Sequence, residues 1–393
     1  MPVPFFDLTR QARVTGPAVE AAVARVFASQ QFILGRTVSD FEDAFCRLTG
    51  CAHAVGMSSG TDAQLAILMA LGIGPGDAVI TTPYTFFATA GCIARVGATP
   101  VFVDVLPDTL HIDPAAIEAF LATCRADSDG TPLTPAGARV RAIAPVHLFG
   151  SVCRMSDILA IAARHGLAVT EDSAQAVGAG YQTPDGYAQA GNIAPSAWFS
   201  FFPTKNLGGA GDGGMAVCKD PAFAERLRRI RNHGMDATYH HTEVGGNFRL
   251  DAIQAAVLEA KIPHLASWND ARRRNAALYR DAFTSRGLLD FLVLPSEPHA
   301  PIPGHHTYHQ YVVRAKDRDL LKASLAAAGI GHAVYYPTPL HLQPCFASLG
   351  YQPGDLPVSE AASRDSLALP IFPELGESEI AQVADAIAAF YRG

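Results

Sequence analysis

The chain has 393 residues, 49% of them hydrophobic and only 17% charged. That length exceeds one ordinary domain and that balance can bury a large core, which excludes a disordered chain and predicts two packed units. Lys and Arg number 30 against 37 Asp and Glu, a net charge of −7 with no long basic run, which argues against a nucleic-acid binder.

The opening Met1-Pro2-Val3-Pro4-Phe5-Phe6-Asp7 lacks the features of a signal peptide, and no run of about 18 apolar residues occurs, so neither export nor a membrane span is expected. Ala52-His53-Ala54-Val55 reads as a strand entering Gly56-Met57-Ser58-Ser59-Gly60, with a helix from Thr61. Beyond it, Ala78–Thr81, Pro100–Asp104, Ala142–Val146 and Leu167–Thr170 read as buried strands, while 61–71, 85–96, 114–122 and 155–166 carry apolar residues at helical spacing. This alternation predicts βαβ units, hence an α/β fold with a mostly parallel central sheet flanked by helices. Gly74-Pro75-Gly76-Asp77 marks a return turn, and Asp113-Pro114 pairs a cap with proline at the first helical position.

The polar segment 123–139 is expected to be an exposed loop insertion. From about Leu250 a long helical stretch runs through Trp268 to about Arg286. After it come the apolar run Tyr311–Arg314, a helix near 318–328, the run Ala333–Tyr336 and an amphipathic helix from about Ser378 to Tyr391. The expected division is therefore a large domain over 1–250, then a connector helix and a smaller α+β domain over 251–393. The seven cysteines form no C-x-x-C pair and are odd in number, which points to a reducing cytoplasm.

Gly209-Ala210-Gly211-Asp212-Gly213-Gly214 fits G-x-G-x-x-G, but the strand-like Met215–Cys218 follows where a dinucleotide loop must open a helix. Gly56–Gly60 fits G-x-S-x-G after a strand and before a helix, which keeps a serine hydrolase using Ser58 open. The same turn places Ser59, Gly60 and Thr61 at a helix mouth, where they could bind phosphate or simply cap the helix. Asp172 in Glu171-Asp172-Ser173-Ala174-Gln175 falls at the carboxyl edge of a parallel strand, where open α/β folds bind ligands. Lys205, in Ser200-Phe201-Phe202-Pro203-Thr204-Lys205-Asn206, sits among apolar and small residues. Burial would depress its pKa there, as Schiff-base chemistry requires. Gly245-Gly246-Asn247-Phe248-Arg249-Leu250-Asp251 reads plainly as a cap with a surface arginine. The histidines at 240–241, 305–306 and 309 lack ligand spacing and accompanying carboxylates, so no metal is expected.

With Ser59–Ala63, Gly74–Asp77, Thr85–Thr89, Pro145–Gly150, Glu171–Gln175, Ser200–Gly214 and Asn247–Asp251 in this order, the chain resembles the DegT/DnrJ/EryC1/StrS family of sugar-nucleotide aminotransferases. The resemblance implies a fold-type I enzyme using pyridoxal 5′-phosphate (PLP), working as a cytoplasmic homodimer. It further implies that Lys205 links to the cofactor and carries the proton, and that Asp172 faces the pyridine nitrogen. Gln175 would lie near the 3′-oxygen, Phe86 on the ring face, and Gly60, Thr61 and Ser200 on the phosphate. Asn247 would reach that phosphate from the neighbouring subunit. Arg249, His306 and His309 would contact substrate. The block from Ser200 to Gly214 is most similar to members that aminate C3 of UDP-linked 2-acetamido-3-keto sugars, with L-glutamate as donor and lipopolysaccharide or another glycan as destination. C4 amination and dTDP-linked 3-keto-6-deoxysugars are the alternative substrates, and a non-catalytic regulator on the same fold is the alternative class.

Overall fold

The computed structural model describes residues 2–392. Seven strands carry the central sheet: β1 His53–Met57, β2 Asp77–Thr81, β3 Thr99–Phe102, β4 Arg139–Ile143, β5 Ala168–Asp172, β6 Ser196–Ser200 and β7 Gly214–Cys218. Their spatial order is β1-β7-β6-β5-β4-β2-β3. Every neighbouring pair is parallel except the two made by β7, with β1 and with β6. Strands buried on both faces read as continuous apolar runs, which is why these elements stand out in the sequence.

Helices α1 (Leu8–Ser29), α2 (Arg36–Thr49), α3 (Gly60–Ala70), α4 (Ala88–Arg95), α5 (Pro114–Ala122), α6 (Met155–His165), α7 (Pro221–Arg231) and α8 (Ala252–Lys261) cover the sheet. Side chains alternate across it. Ala54, Ala197 and Val217 join the core of α1, α2 and α8. Their neighbours Val55, Trp198 and Ala216 join that of α3, α4 and α7. Asp113 caps α5 by accepting from the Ala115 N–H, with Pro114 at its first position. Segment 123–139 is more ordered than a loop: residues 125–126 and 132–133 pair as a hairpin, and Leu133 pairs with Arg139 of β4.

The long helix expected from Leu250 to Arg286 is two helices. Helix α8 ends at Lys261, a 3-10 turn spans Ile262–His264, and α9 runs Leu265–Ser285. Pro263 supplies the reason, since it has no N–H to continue the ladder and crowds the preceding turn. A second core follows, built by α9, α10 (Arg318–Ala327), the last helix and an antiparallel sheet, whereas α11 (Pro357–Asp365) places Ala362 in a separate cluster with Tyr84, Phe149 and Val312; the last helix is α12 (Glu377–Arg392). That sheet joins residues 292–293, β8 Tyr311–Ala315 and β9 Ser366–Leu369. Tyr279, Phe283, Val313, Leu369 and Ile387 are buried in this core, and Val3 from the other end of the chain joins them through a bridge to Ile330. The run 333–336 forms no strand. It makes one bridge, Ala333 to Ala368, before Tyr336 turns into the left-handed region at φ 56°.

The junction of β5 with the sheet edge is fixed by a fully buried carboxylate. Glu171 accepts hydrogen bonds from the N–H groups of Gly191 (2.9 Å), Ile193 (3.0 Å) and Ala194 (2.6 Å), and its Oε2 lies 2.8 Å from His147 Nε2. His147 Nδ1 accepts from the Cys153 N–H, so Nε2 carries the ring proton and donates it to Glu171. The next residue along β5, Asp172, necessarily points to the opposite face.

Candidate active site

The carboxyl ends of β1, β2, β5 and β6 open on one cavity of about 470 Å³, the position where parallel sheets present ligands. Asp172, the last residue of β5, is 6% exposed. Its Oδ2 accepts from Thr89 Oγ1 (2.8 Å) and its Oδ1 from the Ala174 N–H (3.1 Å). Burial raises its carboxyl pKa, and the Thr89 and Ala174 hydrogen bonds, then Lys205 and His147, oppose that rise.

Lys205 follows β6 in a tight turn closed by its own N–H donating to Phe202 O (2.8 Å). Burial lowers its ammonium to about 8, and Asp172 pulls in the other direction. A half-buried lysine and a buried carboxylate thus line one space, each shifted toward its neutral form by desolvation and toward its charged form by the other.

The mouth of α3 supplies a different kind of donor. Ser59 caps the helix by accepting from the Asp62 N–H. Among the described residues the N–H groups of Gly60 and Thr61 have no acceptor, as expected in a first helical turn. A side chain at Gly60 would put its Cβ 2.8 Å from Ser200 Cβ, so glycine lets α3 close onto the end of β6. Ser58 does not sit as a nucleophile: its Oγ donates to Asp62 Oδ2 (2.6 Å), a carboxylate in place of a histidine.

Gln175 is clamped at both ends of its amide. Oε1 accepts from the Phe149 N–H (2.7 Å) and Nε2 donates to Tyr336 Oη (2.9 Å). Phe149 and Tyr336 both hold left-handed backbones, at φ 58° and 56°, and their rings lie 6.2 Å apart and nearly parallel. Two strained residues facing each other mark a junction that the surrounding packing imposes. His309 also lines the cavity. Its Nδ1 lies 3.1 Å from Asn206 Oδ1, while Asn206 Nδ2 donates to Asn269 Oδ1 and Thr307 O. The imidazole therefore donates through Nδ1. Burial holds its pKa well below normal, leaving Nε2 an acceptor.

The expected residues Gly60, Thr61, Phe86, Asp172, Gln175, Ser200, Lys205 and His309 all line this cavity, with Phe86 at its mouth and 61% exposed. Three others lie elsewhere. His306 stands apart from the cavity: its ring stacks on Tyr308 at 3.8 Å, its Nδ1 accepts from the Tyr308 N–H, and it lines a separate cavity of about 40 Å³. Burial pushes its pKa down to about 3. Asn247 and Arg249 stand outside the cavity of their own chain. Asn247 is exposed beside Asn232, and Arg249 Nη1 donates to Asn232 Oδ1 (2.6 Å). Sequence reasoning assigned nothing to Thr89, Trp198, Tyr335 or Tyr336, which line the cavity too. Only Thr89 left a trace, as the second hydroxyl four residues after Thr85 at a helix start.

These groups fit PLP on the structure's own terms: free N–H groups at a helix mouth for its phosphate, a buried carboxylate for its ring nitrogen, and a lysine amine of lowered pKa for its aldehyde. Fold and cavity together define a PLP-dependent aminotransferase. The chain belongs to the DegT/DnrJ/EryC1/StrS aminotransferase family, whose profile matches residues 15–388. It is 46% identical, over all of its length and 99% of the relative's, to a Geobacillus stearothermophilus protein named pleiotropic regulatory protein. It is 42% identical to an Acidithiobacillus ferrooxidans protein named UDP-N-acetyl-3-dehydro-alpha-D-glucosamine 3-aminotransferase, covering 98% of this chain and 97% of that one. The crystal structure of S. venezuelae DesV superposes with a TM-score of 0.91 at 38% identity, covering 100% of this chain and 99% of that chain.

The opposing shifts at Lys205 and Asp172 make a prediction for the cofactor-free protein. Lys205 titrates near pH 8, and Asp172→Asn, which removes the carboxylate holding the proton on, moves that titration to lower pH. NMR titration of isotopically methylated lysines measures it. A Lys205 titration above pH 10, or an upward move in Asp172→Asn, would contradict the burial argument.

Proposed function

We propose that the enzyme moves an amino group from L-glutamate to C3 of a UDP-linked 2-acetamido-3-keto-hexose, on the way to a lipopolysaccharide or related glycan. The observation carrying the substrate is the 42% identity, across nearly the whole chain, to the Acidithiobacillus protein named for a C3 amination of that kind. The regulator alternative, suggested by the name of the Geobacillus relative, has no use for an amine of lowered pKa sharing a cavity with a buried carboxylate. The seven unpaired cysteines favour a cytoplasmic setting. No helix among the described residues is long and apolar enough to cross a membrane.

When bound, PLP supplies an electron-withdrawing ring that stabilises negative charge on the carbon exchanging its amine. In this proposal Lys205 holds the cofactor and then moves the proton at that carbon, a task suited to an amine whose pKa is lowered to about 8. Asp172 keeps the ring nitrogen protonated through a charge-assisted hydrogen bond. Gln175, already fixed by Phe149 and Tyr336, meets the 3′-oxygen, and Phe86 covers a ring face. Gly60, Thr61 and Ser200 take the phosphate. His309 offers Nε2 to a substrate hydroxyl or amide N–H, and a site that satisfies such a group rejects analogues lacking it.

Asn247 and Arg249, outside their own cavity, are proposed to serve the site of a second copy in a homodimer, Asn247 at the phosphate and Arg249 at the substrate's anionic groups. Residues 1–250 would form the cofactor-binding domain and 251–393 the connector and small domain. Val3, packed in the second core, and α8, packed in the first, tie the two across that boundary.

Two experiments separate these points. Run backwards with 2-oxoglutarate, the enzyme should consume 3-amino nucleotide sugars and leave their 4-amino isomers. Turnover of the 4-amino compound alone would overturn the regiochemistry. Lys205→Ala and Asn247→Ala chains, each severely impaired, should regain activity when mixed and allowed to exchange subunits, because one site then holds both native residues. Verified exchange without recovery would place Asn247 in the service of its own chain.

A further inference from the structure

Asp172 is held by one internal donor on each carboxylate oxygen, and the two donors differ in kind. The Ala174 N–H comes from the backbone of the same turn and is present whatever the side chain at 174. The Thr89 hydroxyl is a side-chain choice made 83 residues away, on α4. Thr89 is 1% exposed and fixed at three points: its N–H donates to Phe86 O (3.4 Å), its carbonyl accepts from Gln64 Nε2 (2.7 Å), and its Oγ1 lies 3.5 Å from Thr85 Oγ1. An ionised carboxylate only accepts, so Thr89 must spend its single proton on Asp172, and Thr85 is then the donor to Thr89. Valine would fill the same volume. Packing alone therefore gives no reason for a hydroxyl here.

We propose that Thr89 is a positioning residue for the reaction, holding Asp172 ionised and aimed so that the carboxylate can keep the cofactor's ring nitrogen protonated. The inference rests on the proposed pairing of Asp172 with that nitrogen. Its electrostatic sense follows from burial, which favours the neutral acid, and the Thr89 hydrogen bond is the largest influence opposing it. The other groups acting on Asp172 are Lys205 and His147, which favour the charge. Cys92, Cys153 and Tyr336 feel that charge as neutral neighbours whose own ionisation it disfavours. None of them makes a hydrogen bond to Oδ2, which Thr89 alone supplies among the described residues. Without the hydroxyl, Asp172 gains a proton more readily, and a neutral acid no longer retains a proton on the pyridine nitrogen.

The test uses holoenzyme loaded with PLP carrying ¹⁵N in the ring, whose chemical shift separates protonated from unprotonated pyridine. Wild type should show the protonated signal. Thr89→Val should move it toward the unprotonated position and lower kcat by about ten- to a hundredfold with KM little changed, the size expected for losing a hydrogen bond to a charged group. Thr89→Ser should restore both. Thr89→Ala serves in place of valine if that variant does not fold. An unprotonated wild-type signal, or a protonated one in Asp172→Asn, would overturn the pairing of Asp172 with the ring and this inference with it. A protonated signal in wild type and in Thr89→Val, with Asp172→Asn unprotonated, would overturn the role of Thr89 alone.

Discussion

The site depends on opposite charges sharing one cavity where burial disfavours both. Alone in the cavity, Lys205 would lose its proton more readily and Asp172 would take one more readily, because burial disfavours the charged form of each. Together, and with Thr89 and Ala174 on the carboxylate, they stop short of either limit. Lys205 rests near 8, where an amine can both lose and regain a proton close to neutral pH. Asp172 keeps donors on both oxygens. Neither residue has this character without the cavity, and the cavity has no chemistry without them.

The fold exists to bring these groups to one place without strain in the sheet itself. Four strand ends deliver the α3 mouth, the Thr85–Thr89 segment, Asp172 and the loop to Lys205, and each approach is set by a local constraint. Gly60 lets α3 touch Ser200. Glu171 gathers three N–H groups and His147 on the far face of β5, so that the strand presenting Asp172 cannot slide. Strain appears instead at the junction between the two cores. There Phe149 and Tyr336 keep left-handed backbones to grip Gln175 from opposite sides.

Much of this was legible in the sequence, for a physical reason. Buried parallel strands announce themselves as short apolar runs, and a carboxylate or lysine just past such a run falls at the sheet edge whatever the rest of the chain does. Asp172 and Lys205 were visible on that ground. Side-chain direction in irregular segments was not. His306 and His309 are three residues apart in one polar stretch. Between them Tyr308 takes φ 43°, which turns His309 into the cavity and leaves His306 stacked on Tyr308. The run ending at Tyr336 is apolar like a strand, yet it makes one bridge, at Ala333, and ends with Tyr336 in the left-handed region. Thr89 needed the three-dimensional partner, since a threonine near a helix start is ordinarily a cap. The break at Pro263 was available to be read and lay inside a helical pattern strong enough to mask it.

The central claim is that Lys205, and no other lysine, is the amine the cavity prepares. Lys261 makes the question a real one, because burial lowers its pKa too, although its Nζ donates to Gly208 O (2.8 Å) and lies in a different groove. Borohydride reduction of the PLP-loaded enzyme, followed by mass spectrometry of its peptides, decides between them. The account predicts that the pyridoxyl group is found on Lys205. Its recovery on Lys261 or any other lysine, with Lys205 unmodified, would contradict it.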